Sequence, residues 1–145
     1  AIYDAREVLE AAACRWFAER ATGAQVRQID EAADALAVAF ATSDMHEILA
    51  CTHAFYQVLL EGAGNVVVES LLFGLQAKVS HLRALSMSRA ARHPQSMQEI
   101  RAIVSALRER DGERAAAMSI RHVRSARDAA MRHFSEHEEP TGESK

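Results

Sequence analysis

Proline is almost missing from this chain: Pro94 and Pro140 are the only two. With so little to interrupt the backbone and with alanine abundant, long helices are the favoured local structure over most of its length. Cysteine is equally scarce. Cys14 and Cys51 each sit in apolar helical surroundings, which reads as two free buried thiols in a reducing cytoplasm rather than as a disulfide. Lysine occurs only at Lys78 and Lys145, so arginine carries nearly all the positive charge. The formal net charge of −3 argues against this chain alone gripping nucleic acid. No apolar run approaches membrane-spanning length. No signal peptide is expected either, because Asp4, Arg6, Glu7 and Glu10 interrupt any apolar core at the start. A Gly-rich phosphate loop, a His-Glu-x-x-His helix and a Cys-x-x-Cys pair are all missing. So is a nucleophile with a base and an orienting acid, and no enzyme is expected.

What is present suits one domain with a real core: 145 residues, 49% hydrophobic and 26% charged. Apolar residues recur at helical spacing throughout. Val8, Leu9, Ala12, Ala13, Trp16 and Phe17 mark one face of a first helix over about 2–20. Arg6 reads there as an exposed side chain pairing with Glu10 or Glu7 across one turn. Thr22 to Gln25 is a capping box opening a second helix, whose apolar positions are Val26, Ile29, Ala33, Leu36, Ala37 and Phe40. Its Asp30, Glu31 and Asp34 side reads as a solvated face. A third helix starts near Asp44, carries the stripe Ile48, Thr52, Phe55, Tyr56 and Leu59, and is closed by Gly62 and Gly64. Asn65 caps a fourth and greasiest helix, apolar on more than one face at its N-terminal end, with Arg83 on an inner row near its far end. Ser96 to Glu99 reads as another capping box, opening a fifth helix with the stripe Met97, Ile100, Ile103, Val104 and Leu107. Asp111 caps a sixth that runs to about Phe134, with small residues around His122. Residues 135–145 read as a disordered tail. The whole predicts an all-α antiparallel bundle of about six helices over 1–134.

Seven histidines raise the question of a metal. A di-iron bundle needs Glu-x-x-His pairs, and no histidine here has a glutamate three residues before it. His46 and His53 lack an obvious third ligand. His81, His93, His133 and His137 read as surface residues. On the third helix, Thr52 and Tyr56 lie one turn apart on an inward stripe, so their hydroxyls need partners from side chains, water or a ligand.

Several motifs in order resemble one family. They are Arg6-Glu7-Val8-Leu9-Glu10, Ala18 to Thr22, Phe55 to Asn65, Leu82-Arg83, Arg110 to Ala116, and Arg121-His122. Together they resemble the FCD domain (FadR C-terminal domain) of GntR-family bacterial transcription regulators, from about Tyr3 to Phe134. The resemblance implies a helical bundle around a polar cavity, in which many members hold a divalent metal with one Asp and three His. By position those ligands fall at Thr52, Tyr56, Ile100 and His122, and only His122 survives. Neither a hydroxyl, a phenol nor an isoleucine replaces such ligands well. No metal and no other cofactor is therefore expected, and rescue by His53 is disfavoured because it points about a third of a turn away from Thr52.

The resemblance further implies a small-molecule effector. Without a metal, an organic acid would need direct donors, for which Arg6, Arg83 and His122 are the candidates, with Thr52 and Tyr56 adding hydroxyls and Ile100 an apolar wall. The plainer alternative is a filled core in which Tyr56 and His122 hydrogen-bond each other. On the leading reading this is the effector-binding and dimerisation domain of a cytoplasmic regulator. It would work as a homodimer through the first and fourth helices, with DNA bound only by an N-terminal winged helix that is not in this chain. The competing reading is a helical interaction module with no ligand cavity.

Overall fold

The computed structural model describes residues 1–87 and 92–137, with the side chains of 79–92, 133, 134, 136 and 137 outside the description. Among the described residues there are six helices and no strand. They are α1 (Ile2–Arg20), α2 (Gly23–Thr42), α3 (Met45–Ala63), α4 (Val66–Met87), α5 (Arg92–Arg108) and α6 (Gly112–His137). This is the expected all-α bundle. The last eight residues of the proposed tail, 138–145, lie outside the described residues, whereas 135–137 continue α6.

The helix starts are set by short side chains. At Thr22 the hydroxyl accepts from the Gln25 amide, and the Gln25 side chain returns a bond to the Thr22 N–H, so the capping box forms in full. Asp44 accepts from the His46 and Glu47 amides. Asn65 Oδ1 takes the Val67 and Val68 amides, and Asp111 Oδ1 takes that of Arg114. Each such cap contributes about 1 kcal/mol by satisfying N–H groups that have no partner within the helix. Two helix ends are closed from elsewhere in the chain. Arg110, itself left-handed at φ 58°, donates to the carbonyls of Ala21 and Ala18 at the end of α1. Arg20 donates to the Ala63 carbonyl at the end of α3 while its guanidinium lies over the Trp16 ring.

Three local expectations are corrected. Ser96 to Glu99 is no capping box: α5 begins four residues earlier, at Arg92, and Ser96 is buried inside it. Pro94 is tolerated there because it falls in the first turn, where its missing N–H costs no helical bond. Of the two glycines near the end of α3, only Gly64 is a cap, left-handed at φ 71°. Gly62 is still helical, and a Cβ there would overlap the Phe17 ring of α1. Its role is close helix packing, not termination. His93 is buried rather than exposed, and its ring stacks on Phe40 at 4.9 Å between centroids.

α1 touches α3, α4, α5 and α6, all but α2. Around it Phe17, Ile29, Leu36, Ile48, Leu60, Leu72, Val104 and Leu107 are almost wholly removed from water. Burial of one such side chain stabilises by roughly 1.5–3 kcal/mol, against about 0–1 kcal/mol for an exposed ion pair. The outer pairs, Arg101 with Asp34, Arg108 with Asp30 and Arg15 with Glu113, therefore set orientation more than stability. They also show that the acidic side of α2 faces arginines of α5 and not solvent alone.

The face of α1 differs from the expected one. Val8 is 70% exposed, while Tyr3, Arg6, Glu10, Ala13, Cys14 and Phe17 point inward. The apolar count was balanced around this helix, and the inward row includes two charges that hydrophobic periodicity assigns to solvent.

Candidate functional site

Arg6, Glu10 and Cys14 lie four residues apart and form one row on α1. Opposite them α3 supplies Thr52, Phe55, Tyr56 and Leu59, α5 supplies Ile100 and Ile103, and α6 supplies Ser119, His122 and Ala126. With Leu36 of α2 these side chains enclose one internal cavity. Its volume is about 30 Å³, room for about two waters. Five of the six site residues expected from sequence, Arg6, Thr52, Tyr56, Ile100 and His122, line it together. The sixth, Arg83, is on α4, and its side chain lies outside the described residues.

The polar centre is an ion pair. Arg6 Nε donates to Glu10 Oε1 at 2.9 Å, with the two side chains 4% and 2% exposed. The pairing of Arg6 with Glu10 is as expected, but the expected exposure is not. Tyr56 closes the arrangement: its hydroxyl donates to Glu10 Oε2 at 3.0 Å and accepts from Arg6 Nη2 at 3.4 Å. Burial alone would lower the Arg6 pKa, but the Glu10 carboxylate and then the Tyr56 phenol raise it overall. Arg6 is therefore a fixed cation in a buried site. Nε and Nη2 are occupied, while Nη1 makes no hydrogen bond among the described residues.

His122 does not bond Tyr56. Its Nδ1 lies 2.8 Å from Glu99 Oε1 on α5. Thr52 turns its hydroxyl back to the Ile48 carbonyl at 2.6 Å, as helical threonines do when no better acceptor is near. The four positions where the resembled family places metal ligands thus present a satisfied threonine, a phenol held by Arg6 and Glu10, an isoleucine and one imidazole. Among the described residues no three His, Cys, Asp or Glu side chains gather as a metal would need. This donor set, with a guanidinium at its centre, does not fit a divalent ion.

Sequence reasoning missed Glu10 and Glu99 as site residues. Glu10 was visible four residues after Arg6 but read as half of a surface pair. Glu99 was absorbed into a capping box that does not form. Cys14 and Ser119 are also at the cavity. Burial first, and the Glu10 charge second, push the Cys14 thiol up from 9.0 to about 12. A thiol reagent at neutral pH is accordingly expected to label half-buried Cys51 and to spare Cys14 until the protein unfolds. Fast labelling of Cys14 in the folded protein, read by mass spectrometry of its peptide, contradicts this. The raised value also destabilises the fold in alkali. The unfolded thiol ionises near 9 and the folded one near 12, so its stability contribution is complete below 9 and falls as pH rises from there towards 12. Cys14→Ala should flatten that part of the stability profile.

The sequence profile of the FCD domain matches residues 1–125. The chain is also similar to the galactonate operon transcriptional repressor of Escherichia coli strain K12, at 27% identity over 116 residues. That match covers 79% of this chain but 50% of the repressor, so the chain spans about half the length of the curated relative it matches.

Proposed function

Because the chain belongs to the FCD domain family, we propose that it is the ligand-sensing half of a cytoplasmic transcription regulator, and that a small organic acid enters the α1–α3–α5–α6 cavity. Arg6 carries the reading. It is a buried guanidinium lining the cavity, with Nη1 lacking a hydrogen-bond partner among the described residues. Nη1 is not sealed in by packed atoms, so a ligand carboxylate can reach it and make a charge-assisted bond. Thr52, Tyr56 and His122 add polar contacts, and Ile100 and Phe55 the apolar wall. Arg83 remains a candidate on α4. The repressor it resembles makes galactonate the first acid to try.

At about 30 Å³ the cavity is at least about tenfold smaller than ligand pockets of roughly 300–1,000 Å³. An effector must therefore part the helices, and only the arrangement it parts binds it well. That difference in affinity is what shifts a population between two states. The outward apolar residues Val66, Val67 and Leu71 at the start of α4 support a second copy as the partner that feels the shift. DNA contact then belongs to a separate winged-helix domain of the full regulator.

Thermal unfolding against a panel of short organic acids tests this. Binding to the folded state raises stability by about 2.7 kcal/mol at a hundredfold excess over Kd. The gain should be indifferent to chelator and lost in Arg6→Lys, which keeps the charge but not the fork of donors. Silence across hydroxylated and plain acids overturns the effector reading, and a fall in stability on chelation overturns the metal-free one.

A further inference from the structure

We propose that the effector is an α-amino acid, and that Glu10 selects it by holding the ligand's ammonium group. The inference rests on the organic-acid reading and names the class of acid.

The charges of the α1 row already balance. Arg6 is the cation and Glu10 the anion, both line the cavity, and both are buried. An acid that brings only a carboxylate satisfies Arg6 but sets a second negative charge beside Glu10, in surroundings that screen it poorly. A plain amine does the same to Arg6 with the opposite sign. A zwitterion adds one charge of each kind, so the sum is unchanged and neither member of the buried pair loses its counter-charge.

The hydrogen-bonding inventory points the same way. Arg6 Nη1 makes no hydrogen bond among the described residues, which leaves its donors for a carboxylate. Glu10 Oε1 accepts from Arg6 and Oε2 from Tyr56. A carboxylate has about four lone-pair sites, so each oxygen can accept once more. Thr52 gives its hydroxyl proton to the Ile48 carbonyl and offers the cavity lone pairs alone. An ammonium is the complement of this set, because it only donates. A ligand hydroxyl would fill one of these acceptors but bring no charge to set against Glu10.

Distance narrows the class further. Arg6 Nε and Glu10 Oε1 are 2.9 Å apart, so the two ligand groups that answer them must also be neighbours. An ammonium and a carboxylate on one carbon meet that condition. At opposite ends of a chain they do not, and one of them is driven against Phe55, Ile100 and Ile103. With the charged ends on α1, those three side chains receive the remainder of the ligand, which is then apolar.

Calorimetric titration of the native protein with six-carbon probes at neutral pH tests the proposal. The probes are L-norleucine, its isomer 6-aminohexanoate, and hexanoate. Norleucine should bind at least about tenfold more tightly than either of the others, and a decade of affinity is about 1.4 kcal/mol. Hexanoate at parity with norleucine overturns the ammonium seat while leaving the acid site standing. Parity between the two isomers overturns the placing of both charges on one carbon. In Glu10→Gln, which keeps the shape of the side chain without its charge, hexanoate should gain affinity by supplying the anion that Arg6 has lost. The norleucine preference should then fall to one or below. A preference that survives Glu10→Gln overturns the role of Glu10. The probe comparison in the native protein decides the ligand class whether or not that variant folds. If no probe binds, the organic-acid reading itself fails and takes this inference with it.

Discussion

Glu10→Ala should cost the domain about 3–5 kcal/mol, since removing one partner of a buried pair leaves the other charge uncompensated. Arg6 would remain in place, 3% exposed, with the Tyr56 hydroxyl and the Tyr3 ring as its described side-chain partners. A guanidinium cannot escape by losing its proton, as a buried lysine can, so the full desolvation cost stays in the folded state. For a chain of this size such a loss lowers Tm by roughly 10–15 °C. The asymmetry is as informative as the size. Replacing the pair together, Arg6→Met with Glu10→Leu, should cost much less than either single change, because no charge is then stranded. Urea unfolding of the two singles and the double checks both points. A Glu10→Ala loss under about 1 kcal/mol would mean that water reaches Arg6, as at an exposed pair.

The second large effect is at the crossing of α1 and α3. Phe17 is fully buried, and its ring occupies the space that a side chain on Gly62 would need. Phe17→Ala should cost about 3–5 kcal/mol through lost burial and the cavity left behind. Gly62→Ala alone should cost about 1–3 kcal/mol despite the better helix propensity of alanine, because the ring has nowhere to go: the Ala21 Cβ is also within 3.3 Å of the new atom. Combined, the two changes should cost clearly less than their sum, since the new methyl enters vacated space. Simple additivity in a double-mutant cycle would show that the helices do not meet there.

These two sites also mark where the sequence was readable and where it was not. On α3 the expected stripe Ile48, Thr52, Phe55, Tyr56 and Leu59 is buried throughout, with Leu60, Gly62 and Ala63 added to it, because that face is mostly apolar and its two hydroxyls find partners. On α1 the same method was right for Ala13 and Phe17 but left the inward row of Arg6, Glu10 and Cys14 out and put exposed Val8 in. Arg6 and Glu10 count as surface in any hydrophobicity pattern, yet each cancels the other's cost once they share a site, and nothing in their spacing tells a buried pair from an exposed one. The site was legible in its members but not in its connections. Tyr56 and His122 were both expected at the cavity, yet Tyr56 bonds the ion pair and His122 bonds Glu99. Long-range partners of this kind depend on how helices distant in sequence are turned against one another. Gly62 failed for the opposite reason. A local rule, glycine as terminator, was applied where a tertiary contact decides.

One consequence of the packing concerns how the domain comes apart. α1 meets four of the other five helices, and its C-terminal carbonyls are held by Arg110 from beyond α5. No part of the bundle that includes those neighbours can open while leaving α1 protected on all sides, and α1 cannot leave without exposing most of the core. Its inner amides therefore exchange with solvent only by global unfolding, and their exchange rates report the stability of the whole domain. The start of α4, with Val66 and Val67 already facing water, exchanges through a smaller and earlier event. Slowing confined to that first turn would be the imprint of a bound second copy, and slowing spread along α1 that of a filled cavity.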